Sequence, residues 1–243
     1  MRTKTLLLAG AALAFSLATS QAQVYSANIV GYANVLLPGN GQFTLVATPF
    51  DDGNGNILSN IITAPLPGGV ANPLGQSKIT TFGIPTPGVP NIIAKGATGA
   101  WSANPSLPPG TGYYIQNGKP GGGAPDLTNT FVGTVIPLVA ASVTNDIPNG
   151  YSIQGSVIPY AGNIAISLTP GGDANMNVGG SLSSPDAAHR SQITYWNTAG
   201  QNPGIATKGI TGNWNNTVAV GVAQGFYIFN PNADTNVVET LAP

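Results

Sequence analysis

Charge is what this sequence has least of. Its 243 residues include 7 Lys and Arg, 8 Asp and Glu, one His and no Cys. Charged residues amount to 6%, whereas a soluble domain ordinarily carries about a quarter. A nucleic-acid binder needs a basic face to neutralise phosphates, and a net charge of −1 over so few groups cannot build one. The lack of thiols, with a single imidazole, excludes zinc sites of the Cys/His type. It also excludes disulfide staples, so stability must come from packing and backbone pairing. Disorder through charge repulsion is excluded in turn, because 42% of the residues are hydrophobic.

Long apolar runs are scarce too. The longest spans Leu6 to Ala18, after Arg2 and Lys4 and before Ser20-Gln21-Ala22. A basic start, a short apolar stretch and small residues at −3 and −1 before Gln23 read as a secretory signal over residues 1–22. That run is about 13 residues, and a spanning helix needs roughly 20. The expectation is an exported chain with no membrane span after signal removal, placed outside the cell, at its surface or in the periplasm. Removing the signal leaves five basic residues against eight acids, a net charge of −3.

What is abundant is Gly (33) and Pro (21), and they punctuate an internal repeat. Lys95-Gly96-Ala97-Thr98-Gly99-Ala100-Trp101 matches Lys208-Gly209-Ile210-Thr211-Gly212-Asn213-Trp214 at an offset of 113 residues (208 − 95). Gly112-Tyr113-Tyr114-Ile115 matches Gly225-Phe226-Tyr227-Ile228 at the same offset (225 − 112). Upstream, Ile79–Phe82 pairs with Ile193–Trp196, and Phe43–Leu45 with Tyr151–Ile153. Val30-Gly31 and Val132-Gly133 are expected to open the two copies, with a boundary near Thr128 after the loop-like Gly121-Gly122-Gly123. The units are then 23–128 and 129–243.

Inside each unit the apolar residues recur with a period near 2, in short β-branched and aromatic runs between Pro, Gly and Asn turns. Only Ile57–Thr63 suits a helical turn. The predicted fold class is all-β, two homologous sandwich or barrel-like units arising from an internal duplication.

The segment Val24-Tyr25-Ser26-Ala27-Asn28-Ile29-Val30-Gly31-Tyr32-Ala33-Asn34-Val35, the strand Phe43–Phe50 and the run Pro109–Tyr113 resemble a family of exported, β-rich, duplicated proteins of Verrucomicrobia-like bacteria. The resemblance implies export and a β-rich fold. It carries no catalytic residue across.

Candidate chemistry is sparse. A nucleophile needs a base beside it, and the only imidazole, His189, lies near Asp186, Ser183 and Ser184 in a segment that reads as a loop. The acids are scattered among turns, where Asp caps backbone N–H groups, and no catalytic residue is assigned. Asp52-Gly53-Asn54-Gly55-Asn56 and Asp173-Ala174-Asn175-Met176-Asn177 share a D-x-N-x-N spacing that can turn Asp52, Asn54 and Asn56, or Asp173, Asn175 and Asn177, toward a calcium ion. Position twelve of each is Thr63 or Ser184, not a bidentate acid, so such a site would be weak. The Lys95 and Lys208 motifs place Lys ahead of their glycines and lead into a Trp strand, which reads as a hairpin turn and not a phosphate loop.

Neutral ligands remain. Sugars are held by aromatic faces flanked by uncharged hydrogen-bonding groups, and Tyr114, Tyr195, Trp196 and Tyr227 are the candidates. Trp101 and Trp214 recur in both copies and are expected in the core, whereas Tyr195 stands where the first copy has Thr81. Four Lys in the mature chain are too few to block sheet edges by charge, so edges must be covered by loops or paired with other copies. The expected function is a non-enzymatic structural or adhesive surface protein. A carbohydrate-binding module is the alternative, and a secreted hydrolase comes third.

Overall fold

The computed structural model describes residues 29–82, 89–136, 142–148, 150–159, 161–163, 192–197, 200–207, 214–216, 218–230 and 235–240. There the β-branched and aromatic runs form short strands, since such side chains suit a pleated, half-buried surface. In chain order they are β1 (Val30–Leu37), β2 (Phe43–Ala47), β3 (Lys78–Phe82), β4 (Pro90–Ala94), β5 (Gly112–Gln116), β6 (Leu127–Thr134) and β7 (Ser142–Ile147). After these come β8 (Gly150–Gln154), β9 (Gly162–Asn163), β10 (Gln192–Asn197), β11 (Asn202–Thr207), β12 (Ala219–Val220), β13 (Phe226–Asn230) and β14 (Thr235–Thr240). Every pairing among the described residues is antiparallel, and strands outweigh the single short helical turn there, so the protein is all-β in class. Among the described residues no helix is long and apolar enough to cross a membrane.

Two four-stranded sheets dominate. One runs β2-β5-β3-β4 and the other β8-β13-β10-β11, and three two-stranded ribbons, β1-β6, β7-β14 and β9-β12, accompany them. In the first sheet the odd and even positions part company as the pleat requires. Val46, Ile79, Ile93 and Ile115 are buried on one face against Leu58, Leu107 and Phe131. Each such side chain contributes about 1.5–3 kcal/mol on full burial. The second sheet buries Ile193, Ala206, Phe226 and Ile228 in the same manner.

The expected helical turn is α1 (Leu58–Ile61). Four residues cannot hold a helix by themselves, and distant asparagines supply the caps. Ser59 N–H donates to Asn104 Oδ1 at 2.8 Å, while Thr63 and Ala64 N–H donate to Asn129 Oδ1 at 2.9 and 3.1 Å. Asn129 Nδ2 in turn donates to the Ile61 carbonyl at 3.1 Å.

The glycine-rich stretch before Thr128 is tied down: Asn40 N–H donates to the Ala124 carbonyl at 2.9 Å and Lys119 N–H to that of Leu74 at 3.0 Å. The boundary expected near Thr128 falls inside β6, and β6 pairs with β1 so that Gly31 faces Gly133. Val30-Gly31 and Val132-Gly133 therefore meet in one ribbon. A side chain at Gly31 would strike the Phe50 ring, and one at Gly133 the Asp51 carbonyl and then Phe50 Cβ, so the Phe50-Asp51 segment demands both glycines.

The two large sheets are stitched backbone to backbone. Isolated bridges join Val46 to Gln224 and Thr111 to Gln154. Ala47 N–H donates to the Ala223 carbonyl at 2.9 Å, and Gly155 N–H to that of Gly110 at 2.8 Å. A Cβ added at Gly155 would collide with Ala47 Cβ, so only glycine permits this approach.

Candidate functional site

Tyr114, Tyr227 and Trp196 project from the sheet faces opposite the buried ones, and the structure brings them together. Phe82, Tyr227, Tyr114 and Trp196 form a chain of rings with successive centroid distances of 5.0, 5.3 and 5.8 Å. The tilted and edge-on geometries are those favoured by the ring quadrupoles. Burial pushes the Tyr114 hydroxyl up to about 12 from its ordinary 10. The Tyr227 hydroxyl rises further, first through burial and then through the proximity of Tyr114. These three candidates thus join the sheets.

Tyr195 is placed differently. It sits on the other face of β10, opposite Gly204 of β11, and its ring lies over that glycine so closely that a Cβ there would strike it. The ring stays half-buried and lines a cleft of about 730 Å³ with the edge of Trp196. One wall of the cleft comes from β1, β2 and the turn between them, the other from β10 and the turn before β13. Amides flank the rings: Asn34, Gln42, Asn197 and Gln224. Among the described residues lining it there is no Asp, Glu, Lys, Arg or His.

The walls are held by hydrogen bonds across the sheets. Trp196 Nε1 donates to the Phe43 carbonyl at 3.0 Å. Gln201 grips the same residue twice, Oε1 accepting from Phe43 N–H at 3.0 Å and Nε2 donating to its carbonyl at 3.2 Å. Together with Ala223 and Gly225, which bond Ala47 and Leu45, these groups cover the outer edge of β2.

In the Asp52-Gly53-Asn54-Gly55-Asn56 loop one oxygen each of Asp52 and Asn56 bonds back to the loop's own backbone. Asp52 Oδ1 accepts from Asn54 and Asn56 N–H, both at 2.8 Å, and Asn56 Oδ1 accepts from Asp52 N–H at 3.0 Å. Asn56 Nδ2 donates to the Phe50 carbonyl at 2.6 Å. This is an Asx knot that turns the chain from β2 toward α1. The second D-x-N-x-N motif (Asp173, Asn175, Asn177) and His189 with Ser183, Ser184 and Asp186 lie outside the described residues. Among the described residues no three His, Cys, Asp or Glu side chains group to hold a metal.

The Lys95 motif is a tight hairpin: Lys95 bridges to Trp101, and Gly99 N–H donates to the Gly96 carbonyl at 3.0 Å. Lys95 Nζ lies 5.4 Å from the centre of the Trp101 ring, and burial lowers its pKa. Trp214 is buried and Trp101 packs half-buried against the core.

Gln42, Asn34 and Gln224 escaped sequence reasoning because three separate segments carry them. Gly204 left a signal, since a hairpin joining β10 and β11 sets it opposite Tyr195. The fold and its cleft define a class: an all-β protein of stitched antiparallel sheets with an uncharged, aromatic-lined cleft. No protein-family model, no curated protein and no solved structure matches the chain.

Proposed function

We propose that the chain is an exported, non-enzymatic structural or adhesive surface protein built from a duplicated β unit. One observation carries the duplication: contacts between the two large sheets come in pairs related by the sequence repeat. The strands correspond in order, β2-β5-β3-β4 with β8-β13-β10-β11. Val46 shifted by 108 is Gln154, and Thr111 shifted by 113 is Gln224, so the bridges Val46–Gln224 and Gln154–Thr111 are one contact made twice. The Phe82–Tyr227 and Trp196–Tyr114 ring pairs answer each other likewise. Such reciprocity is the mark of an isologous interface, here closed within one chain. On this reading each unit extends through its ribbon, the first as far as Thr134.

The residues 1–22 pattern supports export, and the near-absence of ionisable groups supports a role in contact and not in acid–base chemistry. A rigid, neutral block suits an adhesive component that touches uncharged surfaces. The test is twofold. Intact cells are labelled with a membrane-impermeant reagent and probed for the protein, and a deletion strain is scored for attachment to uncharged surfaces. Labelling with reduced attachment is expected. A protein shielded from the label, or attachment equal to the parent strain, overturns the reading.

A carbohydrate-binding module is the second reading, and the uncharged cleft favours it. Aromatic rings among fixed amides are the lining that sugar recognition requires.

A further inference from the structure

We propose that the cleft between the β1–β2 turn and β10 is a single binding site for a neutral oligosaccharide, with the Tyr195 ring as its stacking platform. The inference rests on the carbohydrate-binding reading and goes further, assigning the residues and the number of sites.

The argument starts from a station where the two sheets differ. In the first sheet Thr81 of β3 faces Asn91 of β4, and Thr81 is fully buried. In the second, Tyr195 faces Gly204 at the corresponding rung. The large side chain stands opposite a residue with none, so both members of the pair differ from their counterparts in the first sheet. A buried core needs no such pairing. The pairing leaves a half-buried ring seated closely over the Gly204 backbone, which lowers the cost of ordering it when a ligand arrives.

The amides are also fixed in advance. Asn34 Oδ1 accepts from Thr130 Oγ1 at 2.7 Å, and Asn197 Oδ1 from Gly200 N–H at 3.0 Å. Gln224 Oε1 accepts from Gly221 N–H at 2.9 Å. Anchoring the oxygens of Asn34 and Asn197 leaves their Nδ2 donors for hydroxyl oxygens of a sugar. A cleft of about 730 Å³ lies in the usual range for small-ligand sites. With no ionisable side chain other than Tyr195 among its described lining, it would leave a carboxylate or sulfate group unpaired, which selects uncharged glycans. Because Thr81 occupies the first sheet's station, the stoichiometry is one site per chain.

The experiment is affinity electrophoresis of the purified mature chain in native gels containing a soluble β-glucan, a galactomannan or a xylan, with alginate as an anionic control. Retardation is expected in at least one neutral gel and not in alginate. Tyr195→Ala should weaken it about tenfold. Gly204→Ala, which keeps the tyrosine but forces its ring to move, should weaken it several-fold. Circular dichroism checks that both variants fold. Tyr32→Ala removes an aromatic that is 76% exposed on β1 and lies outside the cleft lining, so it should change nothing. Retardation equal in the wild type, Tyr195→Ala and Gly204→Ala would place the glycan elsewhere and overturn the site while sparing the module reading. No retardation in any neutral gel overturns both. Retention on an octyl matrix that Tyr195→Ala abolishes, without retardation in any neutral gel, would make the occupant an apolar chain and overturn the saccharide assignment.

Discussion

On β3 of the first large sheet, Thr81 stands opposite Asn91; on β10 of the second, Tyr195 stands opposite Gly204. Around that rung the sheets agree closely. Ile79 and Ile193 are both fully buried, as are Ile115 and Ile228, and Tyr113 and Phe226 take the same place on the strands that lie second in each order. Ile93 on the outer strand of the first sheet answers to Ala206 on that of the second. The comparison teaches that sheets of like strand order accommodate different pairs at one rung when the two side chains compensate in volume. The first sheet sets a buried Thr81 beside a half-buried Asn91, whereas the second sets a half-buried ring over a glycine, so the second sheet offers an aromatic surface at this rung and the first does not.

The sharpest way to break the comparison is to empty the equivalent core positions. Tyr113→Ala and Phe226→Ala should each cost about 3–5 kcal/mol, because each removes a fully buried aromatic side chain. Since the sheets share backbone bonds, calorimetry should record one transition, lowered by either substitution. Two transitions, each moved by only one variant, would show that the halves fold independently. Next in size is Gly155→Val, which drives a side chain into Ala47 across the join. The expected loss is about 1–3 kcal/mol. The reciprocal change, Ala47→Gly, should cost no more than about 1 kcal/mol, through backbone entropy alone.

These positions show how much was legible beforehand. The strands Phe43–Ala47, Lys78–Phe82 and Gly112–Gln116 follow directly from β-branched and aromatic runs, and the Lys95 hairpin follows from its glycines. Sheet order was not legible, because a period of 2 assigns faces and says nothing about neighbours. Val30-Gly31 and Val132-Gly133 show this limit: the repeat marks them as equivalent openings, and it does not reveal that they pair with each other across one ribbon. In the fold both glycines lie close to Phe50-Asp51, a contact that a period of 2 does not announce. For the cleft, Tyr195 stood out by its difference from Thr81. Its amide neighbours gave no sign, since proximity between residues as distant as Asn34 and Gln224 is purely tertiary.

A smaller effect probes the contact across the join. Tyr114 and Tyr227 lie 5.3 Å apart, and a double-mutant cycle with Tyr114→Leu and Tyr227→Leu should return a coupling of about 0.5–1.5 kcal/mol. The same pair imposes an alkaline limit. An unfolded tyrosine ionises near 10, whereas Tyr114 in the fold ionises only near 12, and Tyr227 is raised as well. Folding thus favours the neutral phenols, and their contribution is complete below pH 10 and drains away as the pH passes through 12. The urea midpoint should fall across that interval, in step with tyrosinate absorbance. Tyr114→Phe should flatten the fall, and an unchanged slope in that variant would remove the Tyr114 phenol as its cause.

The least costly substitutions test the outer edges, where the two sheets agree. Pro90 on β4 and Pro203 on β11 hold corresponding places and lack the N–H that an added strand would require. At the other end of each edge, Ala94 N–H donates to Ser102 Oγ at 3.0 Å and Thr207 N–H to Asn215 Oδ1 at 2.8 Å. Between them stand Ile92 and Ile205, 60% and 55% exposed. With so few lysines available, proline and a side-chain cap take over the task of discouraging edge-to-edge pairing. Pro90→Thr with Pro203→Thr should change stability by no more than about 0.5 kcal/mol, because both sites are on exposed edges. Light scattering across a concentration series should nevertheless find the double variant associating where the wild type stays monomeric. If the wild type associates to the same extent, the edges are partner surfaces after all, and the adhesive contact would then be with a second copy of the chain.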